Sequence, residues 1–138
     1  MRIQKIRYQK FIEQKGKCFY CQSPMCAHDI STFAKQHGLT SRRARLFFVT
    51  AEHLTAKSCG GRDTHQNIVA VCLYCNRTRH FAKRPLDPHR YAVKVQAALG
   101  RGKWHGWQQA AQRQHSTSHH DQPVRPVDLH EIECRISI

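Results

Sequence analysis

The chain has 138 residues, of which 40% are hydrophobic and 23% charged; 23 Lys and Arg oppose 9 Asp and Glu, for a formal charge of +14. This length suits one domain, and a positive charge so large calls for a polyanionic partner rather than a neutral ligand. No apolar run reaches the roughly 18 uncharged residues of a membrane span, so no membrane partner is expected. Residues 1–20 are basic and lack the apolar core of a secretory leader, so a cytoplasmic protein is expected.

From the N-terminus, Ile3, Ile6, Phe11 and Ile12 predict a helix over 2–14, with Gly16 where it would stop. Cys18 and Cys21 follow as a first CxxC pair. Residues 29–38 predict a short helix, started by Asp29 or Ser31 and ended by Gly38. Arg42, Arg43 and Arg45 then lead into an expected strand, Leu46–Thr50. Gly60-Gly61 marks a turn in a polar loop over 54–66, and Ile68–Val71 predicts a second strand. Helical spacing runs from Leu73 to about Lys83, before Pro85. Asp87-Pro88 caps a further helix over 88–99, whose apolar face is Tyr91, Val95, Ala98 and Leu99. Residues 113–123 read as a polar linker, and Ile132, Cys134, Ile136 and Ile138 alternate as a short strand would.

The basic charge is concentrated: residues 1–112 hold 20 Lys and Arg against 5 Asp and Glu, whereas 113–138 hold 3 against 4. The expected body is therefore 1–112, and 113–138 is a near-neutral appendix.

Seven cysteines, an odd number, disfavour a fully paired disulfide framework. Cys18 and Cys21 form one CxxC pair, and Cys72 and Cys75 another, with 50 residues between the two. Two such knuckles supply four thiolates to one tetrahedral ion, which suits structural Zn²⁺. Cys26 is near enough in sequence to compete as a ligand, or it is an ordinary free thiol; Cys59 and Cys134 are left over.

Between and beside the knuckles stand Glu52-His53, then Asn67 fourteen residues on, then Asn76 nine further and directly after Cys75. Strand, loop, strand and helix would bring Glu52, His53 and Asn76 to one small surface. The stretch AEHLTAKSCGGRDTHQNIVAVCLYCNRTRH, residues 51–80, resembles the HNH endonuclease motif in the branch braced by a four-cysteine zinc site. The resemblance implies an α+β fold, a ββα-metal finger over about 46–83, with the N-terminal helix and knuckle (1–45) and the 88–99 helix flanking it. It also implies roles. His53 is the general base, oriented by Asn67. Glu52 and Asn76 bind the catalytic divalent ion. Arg77, Arg79, Lys83 and Arg84 are phosphate contacts.

The chemistry suits those residue types. Phosphodiester hydrolysis needs a base that works near neutrality and a cation for the developing charge. One carboxylate and one amide leave room for water and phosphate oxygens, which suits Mg²⁺ or Mn²⁺, with Ni²⁺ or Zn²⁺ as borderline occupants. The resemblance implies DNA cleavage leaving 5′-phosphate and 3′-hydroxyl ends. The basic body implies double-stranded DNA held largely without regard to sequence. Cutting both strands would take a homodimer or two encounters. The competing reading is a non-catalytic, zinc-braced nucleic-acid-binding module. His65 and His80 are phosphate neighbours or plain surface, and Trp104 and Trp107 either stack on a base or pack the last helix onto the finger.

Overall fold

The structure is a computed structural model that describes residues 2–107. Helices α1 (Ile3–Glu13), α2 (Ile30–Gln36) and α3 (Ser41–Ala44) precede a 3₁₀ turn, Arg45–Phe47, and strand β1 (Val49–His53). A second 3₁₀ turn, Lys57–Cys59, interrupts the loop to β2 (Ile68–Cys72), which runs directly into α4 (Leu73–His80); α5 (Pro88–Gly100) closes the sequence of elements. The two strands are antiparallel, with Val49 opposite Cys72, Ala51 opposite Ala70 and His53 opposite Ile68. The result is a small α+β domain built on one hairpin and its flanking helices.

The local chemistry explains most element ends. Asp29 caps α2 by accepting from the backbone N–H groups of Ser31 and Thr32, and Gly38 at φ +62° follows the helix. Asp87 likewise caps α5 by accepting from the N–H of Arg90, with Pro88 at its first position. The expected strand Leu46–Thr50 is displaced. The Thr40 hydroxyl accepts from the Arg43 N–H and starts α3, and the helical path continues through Phe47. The strand begins only at Val49, where Cys26 pairs with it: Cys26 N–H donates to the Phe47 carbonyl and Val49 N–H to the Cys26 carbonyl, both 2.9 Å. Glu52 and His53 therefore lie within β1 rather than beyond it. The helix expected to reach Lys83 ends at His80, because the chain folds back there until the Leu86 carbonyl meets the Arg79 guanidinium at 2.9 Å.

β2 is buried along its whole length. The core joins it to Cys18, Tyr20, Cys21, Phe47 and Tyr91. Trp107 packs edge-on to Phe33 and Phe47, and Trp104 edge-on to Tyr74 and Tyr91, so both indoles join helices to the finger. Between them, His105 Nε2 shares a 2.9 Å hydrogen bond with the Ser23 hydroxyl. Among the described residues, no helix is long and apolar enough to cross a membrane. The linker expected over 113–123 and the strand expected over 132–138, with Cys134, lie outside the described residues.

Candidate metal and catalytic sites

The first knuckle turns at Cys18–Cys21, where the Gln22 N–H donates to the Cys18 carbonyl at 3.0 Å. The second spans the end of β2 and the first turn of α4. The fold brings the four sulfurs of Cys18, Cys21, Cys72 and Cys75 within 4.8 Å of one another, all buried. Cys21 and Cys72 Sγ are 3.8 Å apart, the edge of a tetrahedron with metal–sulfur bonds of about 2.3 Å. Backbone N–H groups also point at sulfur: Cys72 N–H at Cys18 Sγ (3.3 Å) and Cys75 N–H at Cys72 Sγ (3.4 Å). Shared hydrogen bonds with Cys18 push the Cys72 and Cys75 thiols above their ordinary range, while those with Cys18, Cys72 and Cys75 pull Cys21 below it. Four thiolates so close need a cation among them, so the donor set fits a structural metal ion. Cys26 is buried outside this group and Cys59 is exposed.

The second site lies where β1 faces α4. Alternation along β1 puts Thr50 and Glu52 on one face. Glu52, only 2% exposed, pairs through Oε1 with the buried Arg79 guanidinium. His80 Nε2 lies 3.0 Å from Glu52 Oε2 and 3.2 Å from Oε1. Burial and then the Arg79 charge hold the His80 pKa below its ordinary value. Asn76, one turn before His80 on α4, donates its amide to Thr50 Oγ1 (3.0 Å) and to the Ala51 carbonyl (3.3 Å). The amide oxygen is then the atom Asn76 can offer a ligand. Glu52 on β1 and Asn76 and His80 on α4 carry oxygen, oxygen and nitrogen donors on facing elements.

His53, the last residue of β1, engages the loop that follows. Its Nε2 lies 2.7 Å from Asp63 Oδ1, and Lys57 Nζ lies 3.1 Å from the same oxygen. The hydrogen bond from His53, then that from Lys57, lowers the Asp63 pKa, so Asp63 stays ionised. Asn67 does not touch the imidazole. Its side chain accepts from the Thr55 N–H (2.7 Å) and donates to the carbonyls of Thr55 and Arg62 (both 3.0 Å). Its own carbonyl accepts from the Leu54 N–H at 2.9 Å. One residue thus fixes the backbone directly after His53 and directly before Asp63. Gly61 permits this clasp, since a β-carbon there would stand 1.8 Å from the Thr55 carbonyl oxygen.

Of the four cations expected at phosphates, Arg77, Lys83 and Arg84 are exposed, whereas Arg79 is turned inward onto Glu52. Three residues at the site were not assigned these positions from sequence: His80, Asp63 and Arg79. His80 had a usable signal, because it stands four residues after Asn76 and so on the same helical face. Asp63 sits in an aperiodic loop and carries no such signal.

The family model for HNH endonuclease matches residues 44–82, a stretch that contains β1, β2 and α4. No curated protein and no solved structure matches the chain. The chain thus carries an HNH-like ββα motif next to a four-cysteine cluster, consistent with the HNH endonuclease family at large.

Proposed function

We propose that this protein is a metal-dependent endonuclease that hydrolyses DNA phosphodiester bonds, with residues 1–112 as the catalytic body. The observation that carries the reading is the His53–Asp63 couple at the end of β1, next in sequence to Glu52, which His80 meets, inside the segment similar to HNH endonucleases. Cys18, Cys21, Cys72 and Cys75 hold structural Zn²⁺ in this reading.

Asp63 accepts the Nε2–H of His53, which leaves the Nδ1 lone pair as the base. His53 takes a proton from water at Nδ1 as the water oxygen bonds to phosphorus. The bond from phosphorus to the 3′ oxygen breaks, that oxygen takes a proton from solvent, and the products carry 5′-phosphate and 3′-hydroxyl ends. Glu52 and Asn76, with His80 beside them, would hold the catalytic divalent ion; their two oxygen donors suit Mg²⁺ or Mn²⁺, and when bound the ion would supply positive charge to the phosphate and the leaving oxygen. Arg79 keeps the Glu52 carboxylate oriented. Arg77, Lys83 and Arg84 give sequence-independent affinity for the phosphate backbone.

The test is nicking of supercoiled plasmid with Mg²⁺ or Mn²⁺, comparing the protein with His53→Ala. Nicking falls by about 10²–10⁴-fold, as expected for a lost general base, while DNA affinity is unchanged. Absence of nicking by the unaltered protein with every divalent ion replaces this reading with a zinc-braced binding module.

A further inference from the structure

We propose that the segment after α4 is an anchored nucleobase-binding loop, in which Phe81 stacks on a base beside the phosphate to be cut. This rests on the endonuclease reading and adds a contact to the base rather than to the phosphate.

Phe81 is 93% exposed, and among the described residues no other large apolar side chain exceeds 58%. It immediately follows His80 in the chain, whose imidazole meets Glu52. Residues 80–87 are all exposed, and their two cations, Lys83 and Arg84, outnumber the one acid, Asp87. Lys83 and Arg84 lie in the loop, and Arg77 is exposed one turn before Phe81. The acid at the far end, Asp87, is engaged as the cap of α5 and lies 3.5 Å from the Arg90 guanidinium.

The loop is tied at its base. Arg79 is buried and donates Nε to the Leu86 carbonyl at 2.9 Å, while its Nη1 pairs with Glu52. One guanidinium therefore closes the loop on itself and joins it to the site carboxylate. At the C-terminal end, the α5 cap holds Asp87 in place. An apolar ring on an anchored, cationic loop next to a phosphodiester-cleaving site matches the two faces of a nucleotide: cations meet the phosphate, and the ring meets the base.

The experiment uses the full chain carrying His53→Ala, without added divalent ion, so that nothing is cut. Fluorescence anisotropy measures binding to a labelled DNA single strand, to its duplex, and to an abasic phosphodiester strand of equal length. Phe81→Ala is expected to weaken binding to a base-bearing strand by about 5- to 150-fold, the worth of one stacked base, and Phe81→Trp to restore it. Affinity for the abasic strand stays equal in all three proteins. Loss on the single strand alone identifies a stacking platform for unpaired bases; loss on the duplex as well identifies insertion between paired ones. An unchanged melting temperature for Phe81→Ala accompanies either result, since the ring is outside the core. Equal affinities of Phe81→Ala and its parent for both base-bearing probes overturn the loop proposal while leaving the endonuclease reading intact. No binding of any probe by the parent overturns both.

Discussion

The side-chain amide of Gln14 pairs with the backbone of Ala70 as a third strand would. Its oxygen accepts from the Ala70 N–H at 2.9 Å and its nitrogen donates to the Ala70 carbonyl at 2.8 Å. The Phe19 N–H joins the same carbonyl at 3.1 Å. An edge that would otherwise hold buried, unmet polar groups is thus closed by the residue that ends α1. Gln14→Ala leaves the Ala70 N–H without its partner and should cost about 1–3 kcal/mol. Differential scanning calorimetry should show a melting temperature lower by several degrees.

The two neighbouring glycines should differ. A β-carbon on Gly61 meets the Thr55 backbone at 1.8 Å, whereas one on Gly60 meets nothing within 4 Å and costs only the strain of φ +82°. Gly60→Ala should therefore lose about 1 kcal/mol, and Gly61→Ala clearly more, because the Asn67 clasp must open. Urea melts of the two variants measure the order directly, and equal midpoints would contradict it.

Asp63→Asn keeps the size of the side chain and removes its charge. Nicking should fall while DNA affinity, measured without cleavage, stays level, since Asp63 acts on His53 rather than on phosphate. The acid limit follows from the depressed Asp63 pKa, which lies below the ordinary 3.8. A lowered folded-state pKa means the pair contributes fully above the ordinary value and is lost as pH falls through the depressed one. The His53–Asp63 contact should therefore persist throughout the mildly acidic range, and carbon-13 shifts of the Asp63 carboxyl should show it still mostly ionised at its ordinary value of 3.8.

Elemental analysis should find one zinc per chain. Cys75→Ser should lose it and melt with reduced cooperativity, because metal affinity here is part of folding free energy. Zinc retained at full stoichiometry by that variant would place the ion elsewhere.

Much of the site was legible because its signals are local. The CxxC pairs, Glu52-His53, and Asn76 directly after Cys75 are read at fixed short spacing, and the caps at Asp29 and Asp87 need only their own first turn. The displaced strand shows where local reading fails. Leu46-Phe47-Phe48-Val49 is an apolar run that suits a strand, but the Thr40 cap starts a helix before it, and Cys26, over twenty residues earlier, sets where extension begins. The sequence makes Arg79 a phosphate contact, because it does not show that Glu52 is buried opposite it. The indoles of Trp104 and Trp107 likewise acquire their packing roles only from Phe33, Phe47 and Tyr91.

The four-sulfur cluster ties Cys21 to Cys72 across 50 intervening residues. With a metal bound it acts on the unfolded chain as a cross-link would, and a loop of that size corresponds to about 4 kcal/mol of removed chain entropy. That quantity rises only logarithmically with length. A short insertion after Gly38, where a β-carbon would meet nothing within 4 Å, would change it by only a few tenths of a kcal/mol. The turn after Gly38 is therefore a permissive place for inserted sequence, so a short binding peptide could be grafted there while the hairpin stays in register.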